Sequence, residues 1–156
     1  MSRAFIGIGS NEGDRLQHIS RAVQRLRDLP GIELEQMATI YDTEPVGPPQ
    51  PDYLNTVVSI ATTLEPRPLL DRLKAIERDL GRTPSAARWG PRVIDLDLLL
   101  YDDRIVHEPD LVIPHPRMHE RRFVLQPLAQ LAPNLVHPVL NKTIQDLLDS
   151  LHVEAA

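Results

Sequence analysis

Apolar positions along the chain switch between two periods. Residues 4–9 form a short isoleucine-rich run ending at Gly9-Ser10-Asn11, a cluster suited to a turn or helix cap, and the run predicts a buried strand. From about Asp14 to Leu29, the residues Leu16, Ile19, Val23, Leu26 and Leu29 recur every three or four positions, so they form the stripe of an amphipathic helix that Pro30-Gly31 stops. Residues 32–42 alternate loosely and residues 54–64 are rich in valine, isoleucine and threonine; both predict strands, with a proline-rich loop between them. Glu65-Pro66 opens a second helix, in which Leu69, Leu70, Leu73, Ile76 and Leu80 keep the helical spacing until Gly81. After a polar, basic stretch over residues 82–92, Val93 to Tyr101 predicts a strand closed by a hairpin turn at Asp102-Asp103. Further helices are predicted near residues 119–131 and 143–151. The order β-α-β-β-α-β predicts an α+β, ferredoxin-like fold: an antiparallel sheet with two helices on one face, extended by a C-terminal hairpin and helices.

Composition narrows the function classes. At 156 residues with no linker, repeat or low-complexity tract, residues 1–156 are expected to form a single domain. Subtracting 22 acidic residues from 17 basic ones gives −5, which argues against nonspecific binding to nucleic acid or anionic membrane. There are no cysteines, which removes thiolate metal sites, disulfides and cysteine nucleophiles and leaves metal binding to carboxylate and histidine. The apolar stretch near the amino terminus is too short for a signal-peptide core, and no run approaches the roughly 18 residues of a membrane span. A cytoplasmic monomer acting on small molecules is the expectation.

In Val93-Ile94-Asp95-Leu96-Asp97-Leu98, a strand period of two throws Asp95 and Asp97 onto one face and the apolar residues onto the other. Two such carboxylates repel unless a cation or an arginine offsets them. Magnesium suits them, because it takes one or two carboxylates and completes its shell with water and nucleotide phosphates. The same pattern also fits an edge strand with solvated aspartates, or a pair neutralised by Arg92. Immediately upstream, Arg82, Arg88 and Arg92 lie among glycine, proline and small residues, and a guanidinium fork matches phosphate oxygens. A solvated basic loop is the bland reading of that segment. Taken together, arginines for the transferred group and aspartates for its metal ions meet the needs of phosphoryl transfer, where catalysis is mostly positioning and electrostatics.

With one tryptophan, three tyrosines and two phenylalanines, the placement of each ring matters. Tyr53, Trp89 and Phe123 lie in polar or proline-rich surroundings, where flat rings can sandwich a planar heterocycle while Asn55 offers both donor and acceptor to its edge. Each ring could equally cover a local apolar gap. The six histidines form no tight ligand pair: His115 and His119 are four apart, but Pro114 and Pro116 bracket the first. His115, near Arg121, suits donation to a phosphate. Gly7-Ile8-Gly9 lacks the third glycine of a dinucleotide fingerprint, since Glu12 falls there, and no GxxxxGK[ST] loop occurs.

Four blocks resemble the 6-hydroxymethyl-7,8-dihydropterin pyrophosphokinase family over nearly the whole chain: Gly9-Ser10-Asn11, Pro51-Asp52-Tyr53-Leu54-Asn55, the run from Arg88 to Leu99, and Pro114-His115-Pro116 with Arg121 and Phe123. The third is the most specific, because it fixes an aromatic, a glycine, a proline, two arginines and two aspartates in register. The resemblance implies a ferredoxin-like fold and transfer of the β,γ-pyrophosphoryl group from ATP to the pterin hydroxymethyl group, with release of AMP. It implies two magnesium ions bridged by Asp95 and Asp97, and Arg82 and Arg92 stabilising transition-state charge. The pterin would stack between Tyr53 and Phe123, with Asn55 and Thr43 reading its edge, Pro45, Val46 and Gly47 lining the pocket and Trp89 closing it. Lys74, Glu77, Arg88, Leu98, His115 and Arg121 would contact the nucleotide. The chain departs from the family pattern at Pro84, where a basic residue is common, and at Pro116, where an aromatic often follows the histidine.

Two rivals belong to other classes. An RNA-recognition domain uses the same element order, but the acidic balance and the absence of an aromatic RNP block count against it. A sensing domain could keep the pocket and lose the chemistry; the intact Asp95 and Asp97 argue otherwise.

Overall fold

The computed structural model describes residues 1–43, 52–81 and 93–155. Its elements are β1 (Ser2–Ser10), α1 (Arg15–Asp28), β2 (Ile32–Met37), β3 (Tyr41–Thr43), β4 (Tyr53–Thr62), α2 (Pro66–Asp79), β5 (Asp95–Tyr101), β6 (Val106–Glu108), β7 (Leu111–Ile113), a 3-10 turn (Met118–Glu120), α3 (Arg122–Leu131) and α4 (Ile144–Ala155). The main sheet runs in the order β2-β4-β1-β5, with β3 also paired to β4. All of its pairings are antiparallel. The connections through α1 and α2 each pass over one intervening strand, which is the split arrangement expected of a ferredoxin-like core.

Local chemistry sets the helix ends. The Asp14 carboxylate accepts the Gln17 N–H (3.1 Å) at the start of α1, and Gly31, at φ +83°, turns the chain after it. Proline at the first turn of α2 costs nothing, since its missing N–H would be unpaired there anyway. Thr143 caps α4 through Asp146 N–H (3.1 Å).

The sheet is covered on both faces. On one, α1, α2 and the β6–β7 hairpin enclose Ile6, Ile8, Ile60, Leu73, Leu96 and Leu98. On the other, α3 and α4 cover Phe5, Val57, Leu99 and Leu100. Helices on one face only, as the core pattern predicts, would have left this second set of apolar side chains in water.

Three local expectations need correction. Leu16 is 55% exposed although it belongs to the predicted α1 stripe: it sits in the first turn on the flank of the buried set Ile19, Ala22, Val23 and Leu26. The predicted strand over residues 32–42 is two strands, because between them Thr39 N–H turns to the side chain of Gln130 in α3 (2.8 Å). The turn at Asp102 does not make a hairpin with β5; β6 pairs only with β7 as a separate ribbon. Among the described residues, no helix is long and apolar enough to cross a membrane.

The two leucines of α1 provide a test of this packing. Leu26→Ala, at a fully buried position, is expected to lower unfolding free energy by about 2–5 kcal/mol. Leu16→Ala should change it by less than about 0.5 kcal/mol. Equal effects in denaturant titrations would contradict the assigned helix face.

Candidate active site

Strand register assembles the site. Gly9 of β1 lies opposite Asn55 of β4 on one side and Asp95 of β5 on the other, and Gly7 lies opposite Val57 and Asp97. Directly opposed residues share a sheet face. Tyr53, Asn55, Asp95 and Asp97 therefore share the face that carries Val57 and the α3–α4 core. At this end of the sheet the apolar face gives way to polar side chains, the floor of a candidate cleft: Asp95, Asp97 and Tyr53 are half-buried, and Asn55 is buried.

On the β4 side, Asn55 Nδ2 donates to Thr43 Oγ1 (2.6 Å), so the two residues expected to read a heterocycle edge are joined. With the amide nitrogen committed to Thr43, the amide oxygen lies over Gly9. Phe123, in the first turn of α3, packs at the border of the second core, and the Arg121 guanidinium stands 5.5 Å from its ring centroid.

On the β5 side, the 113–121 segment is tied down by its backbone: His115 N–H donates to Leu99 C=O (2.9 Å). His115 Nδ1 accepts the Arg117 N–H (3.3 Å), so the neutral ring carries its proton on Nε2 and can donate from there. Burial, followed by the positive charges of Arg121 and Arg117, pushes the His115 pKa down to about 4. At neutral pH the ring is thus an uncharged donor beside two guanidinium groups, a combination suited to phosphate oxygens.

Asp95 and Asp97 project to one side from alternate positions of β5, as the period of two predicts, about 7 Å apart along the strand. Among the described residues, no three His, Asp or Glu side chains converge as a ready-made metal cage. Two hard carboxylates on an accessible face fit magnesium, whose remaining positions would go to phosphate oxygens and water.

Three residues expected at the nucleotide sit on α2 or beneath it. The Leu98 side chain is 5% exposed in the core under α1 and α2, on the opposite face from the aspartates, so only its backbone could reach the cleft. Glu77 is buried in α2 and one carboxylate oxygen accepts the Leu96 N–H (2.8 Å), which places it beside the strand segment that carries Asp95 and Asp97. Lys74 is exposed on α2, where its charge acts on Asp110. Pro45, Val46, Gly47, Arg82, Arg88, Trp89 and Arg92 lie outside the described residues.

Two further side chains, Arg15 and Gln130, support the site without a signal in the local sequence. Arg15 donates to the Asp52 carbonyl (2.7 Å) and comes within 4.0 Å of Asp42, linking α1 to β3 and to the start of β4. Gln130 fixes Thr39 through its backbone and its hydroxyl (2.8 and 2.9 Å). Neither gives a local signal, since the partners are 37 and 91 positions away.

The family model for 7,8-dihydro-6-hydroxymethylpterin-pyrophosphokinase matches residues 5–133, a span that takes in every described part of this cleft. The chain belongs to this pyrophosphokinase family. A 2-amino-4-hydroxy-6-hydroxymethyldihydropteridine pyrophosphokinase of Synechocystis sp. is 43% identical over 152 residues, covering 97% of this chain and 77% of that protein. An enzyme of the same name from Methylorubrum extorquens is also 43% identical over 152 residues, covering 97% and 94%. A solved Plasmodium falciparum HPPK-DHPS with pteroate superposes with a TM-score of 0.75 at 16% identity, over 96% of this chain and 42% of that one. The pyrophosphokinase chain thus spans less than half of that solved protein, and at this identity the likeness speaks for the fold.

Linkage gives a pH test of the site. With its folded pKa held below 6.5, His115 binds its proton more readily in the unfolded chain, so its contribution to stability is complete above pH 6.5 and declines as pH falls to about 4. A nuclear magnetic resonance titration should show the His115 ring protonating at about pH 4. A midpoint near 6.5 in the folded protein would contradict the buried, arginine-flanked geometry.

Proposed function

We propose that ATP and magnesium serve the pyrophosphoryl transfer to 6-hydroxymethyl-7,8-dihydropterin that membership of this family carries, yielding the pterin diphosphate and AMP. One observation supports the reading above the others: Asn55, Gly9 and Asp95 form one row across three strands, with the heterocycle reader at one end and the anionic pair at the other. Neighbouring strands are about 4.8 Å apart. The row therefore spans about 10 Å, room for a bicyclic ring at one end and a phosphate chain at the other.

In this mechanism the pterin stacks between Tyr53 and Phe123, with its edge against Asn55 and Thr43; Pro45, Val46, Gly47 and Trp89 complete the pocket. Asp95 and Asp97 would hold the magnesium, two ions in this reading. Bound magnesium neutralises phosphate charge and lowers the pKa of the attacking alcohol. The His115 Nε2–H and the Arg121 and Arg88 guanidinium groups bind and orient the nucleotide phosphates, while Arg82 and Arg92 meet the negative charge that grows on the transferred group. The pterin oxygen attacks the β-phosphorus and releases its proton to water, the bond from that phosphorus to the α–β bridging oxygen breaks, and AMP leaves with that oxygen. No side-chain base is required. Residues 1–156 act as one pyrophosphokinase domain, as a cytoplasmic monomer without nucleic-acid or membrane partners.

Purified protein supplied with ATP, magnesium and 6-hydroxymethyl-7,8-dihydropterin is expected to form AMP stoichiometrically with the pterin diphosphate; ADP as product would reject pyrophosphoryl transfer. Asp97→Ala should cut turnover by at least about a thousandfold, while pterin binding, measured by fluorescence, survives in part because the rings and Asn55 need no metal. Unchanged turnover would remove the carboxylate pair from the mechanism.

A further inference from the structure

Gly9 occupies the middle of the row that joins the two halves of the cleft, with Asn55 on one flank and Asp95 on the other. Its backbone does not demand glycine, because positive φ among the described glycines occurs only at Gly13, Gly31 and Gly81. What excludes a side chain is space. A methyl group at position 9 would lie 2.7 Å from Asn55 Oδ1, 3.5 Å from Tyr53 Cδ1 and 3.6 Å from the Leu54 carbonyl oxygen. The first of these distances is well inside van der Waals contact.

The clash has no easy relief. Asn55 is 7% exposed, and its amide nitrogen is held by Thr43 Oγ1 at 2.6 Å. Moving the oxygen off position 9 rotates the amide and breaks that bond, leaving the buried amide without its Thr43 partner. By contrast, a methyl group at Gly7, two residues earlier on the same strand face, would meet Leu99 at an ordinary 3.6 Å. The exclusion is specific to the position beneath the amide.

We propose that Gly9 is a positioning residue: its missing Cβ lets the Asn55 carboxamide lie across β1 with its oxygen toward the cleft floor, so the amide can read the heterocycle edge. The proposal rests on the pterin reading of the cleft. Gly9 acts through Asn55 and does not itself supply a reacting group, so its removal should affect the heterocycle end and spare the nucleotide end.

The test is a double-mutant cycle of Gly9→Ala and Asn55→Ala, read by calorimetric binding of 6-hydroxymethyl-7,8-dihydropterin in the presence of magnesium and a nonhydrolysable ATP analogue. Gly9→Ala alone should weaken pterin binding by about tenfold or more, with affinity for the magnesium–nucleotide analogue retained within about twofold. In the Asn55→Ala background the same change should alter pterin affinity by less than about twofold. Wild-type pterin affinity in Gly9→Ala, or fully additive losses in the double variant, would overturn the proposal. Should Gly9→Ala fail to fold, the double variant is expected to fold, since the colliding amide is gone; a double variant that also fails to fold would overturn it. If the wild-type chain binds no pterin, the activity reading falls, and the coupling is still decided by melting temperature: Gly9→Ala should lower it in the wild-type background by more than in Asn55→Ala, and equal losses would refute the Gly9–Asn55 link.

Discussion

The pairing register of β1 with its two neighbours is the constraint on which the rest depends. A slip of one residue turns every side chain of a strand to the other face. Here the register is locked from the side away from the cleft, where Ile6, Ile8, Ile60 and Leu96 are buried under α1 and α2. Any slip that exposed those side chains would also send the aspartates into an apolar layer. The stability of the core and the aim of the carboxylates are thus one quantity. The cleft needs few dedicated supports because the sheet already holds it.

The elements legible in the sequence were those whose period is set by a single buried face. The stripe of α2 and the alternation around Asp95 and Asp97 were readable because each residue's fate depended only on its neighbours along the chain. The break between β2 and β3 was not, since it comes from Gln130, far away in sequence. Leu16 fitted the helical period but not the surface beneath it, because a helix end can overhang what it packs on. The shared face of Tyr53, Asn55, Asp95 and Asp97 was legible from their even spacing along β4 and β5. Parity places the Leu98 side chain with the core, while the Leu96 N–H bound by the buried Glu77 could not be read from the sequence because it depends on tertiary packing.

Glu77 illustrates how such a buried acid can be accommodated. β5 is the edge of the main sheet, and an edge strand presents main-chain donors that no neighbouring strand accepts. The Glu77 carboxylate takes one of them, at Leu96, between the two aspartates in sequence. One oxygen of the buried carboxyl group thereby gains a hydrogen-bond partner, and so does a strand-edge N–H. The same bond ties α2 to the strand segment that carries Asp95 and Asp97.

Between Phe5 and Ile6 the pairing of β1 with β5 shifts, so that Phe5 faces Leu100 and Ile6 faces Leu98, with Leu99 as the extra residue. Leu99 and Leu100 consequently both join the core under α3 and α4, and the Leu99 carbonyl takes up the His115 N–H. The irregularity behaves as a phase joint: it divides β5 into two independently timed halves. Alternation counted from Tyr101 does not carry through Leu99, so the aim of the two carboxylates is set by their own pairing with Gly9 and Gly7 rather than by the far end of the strand.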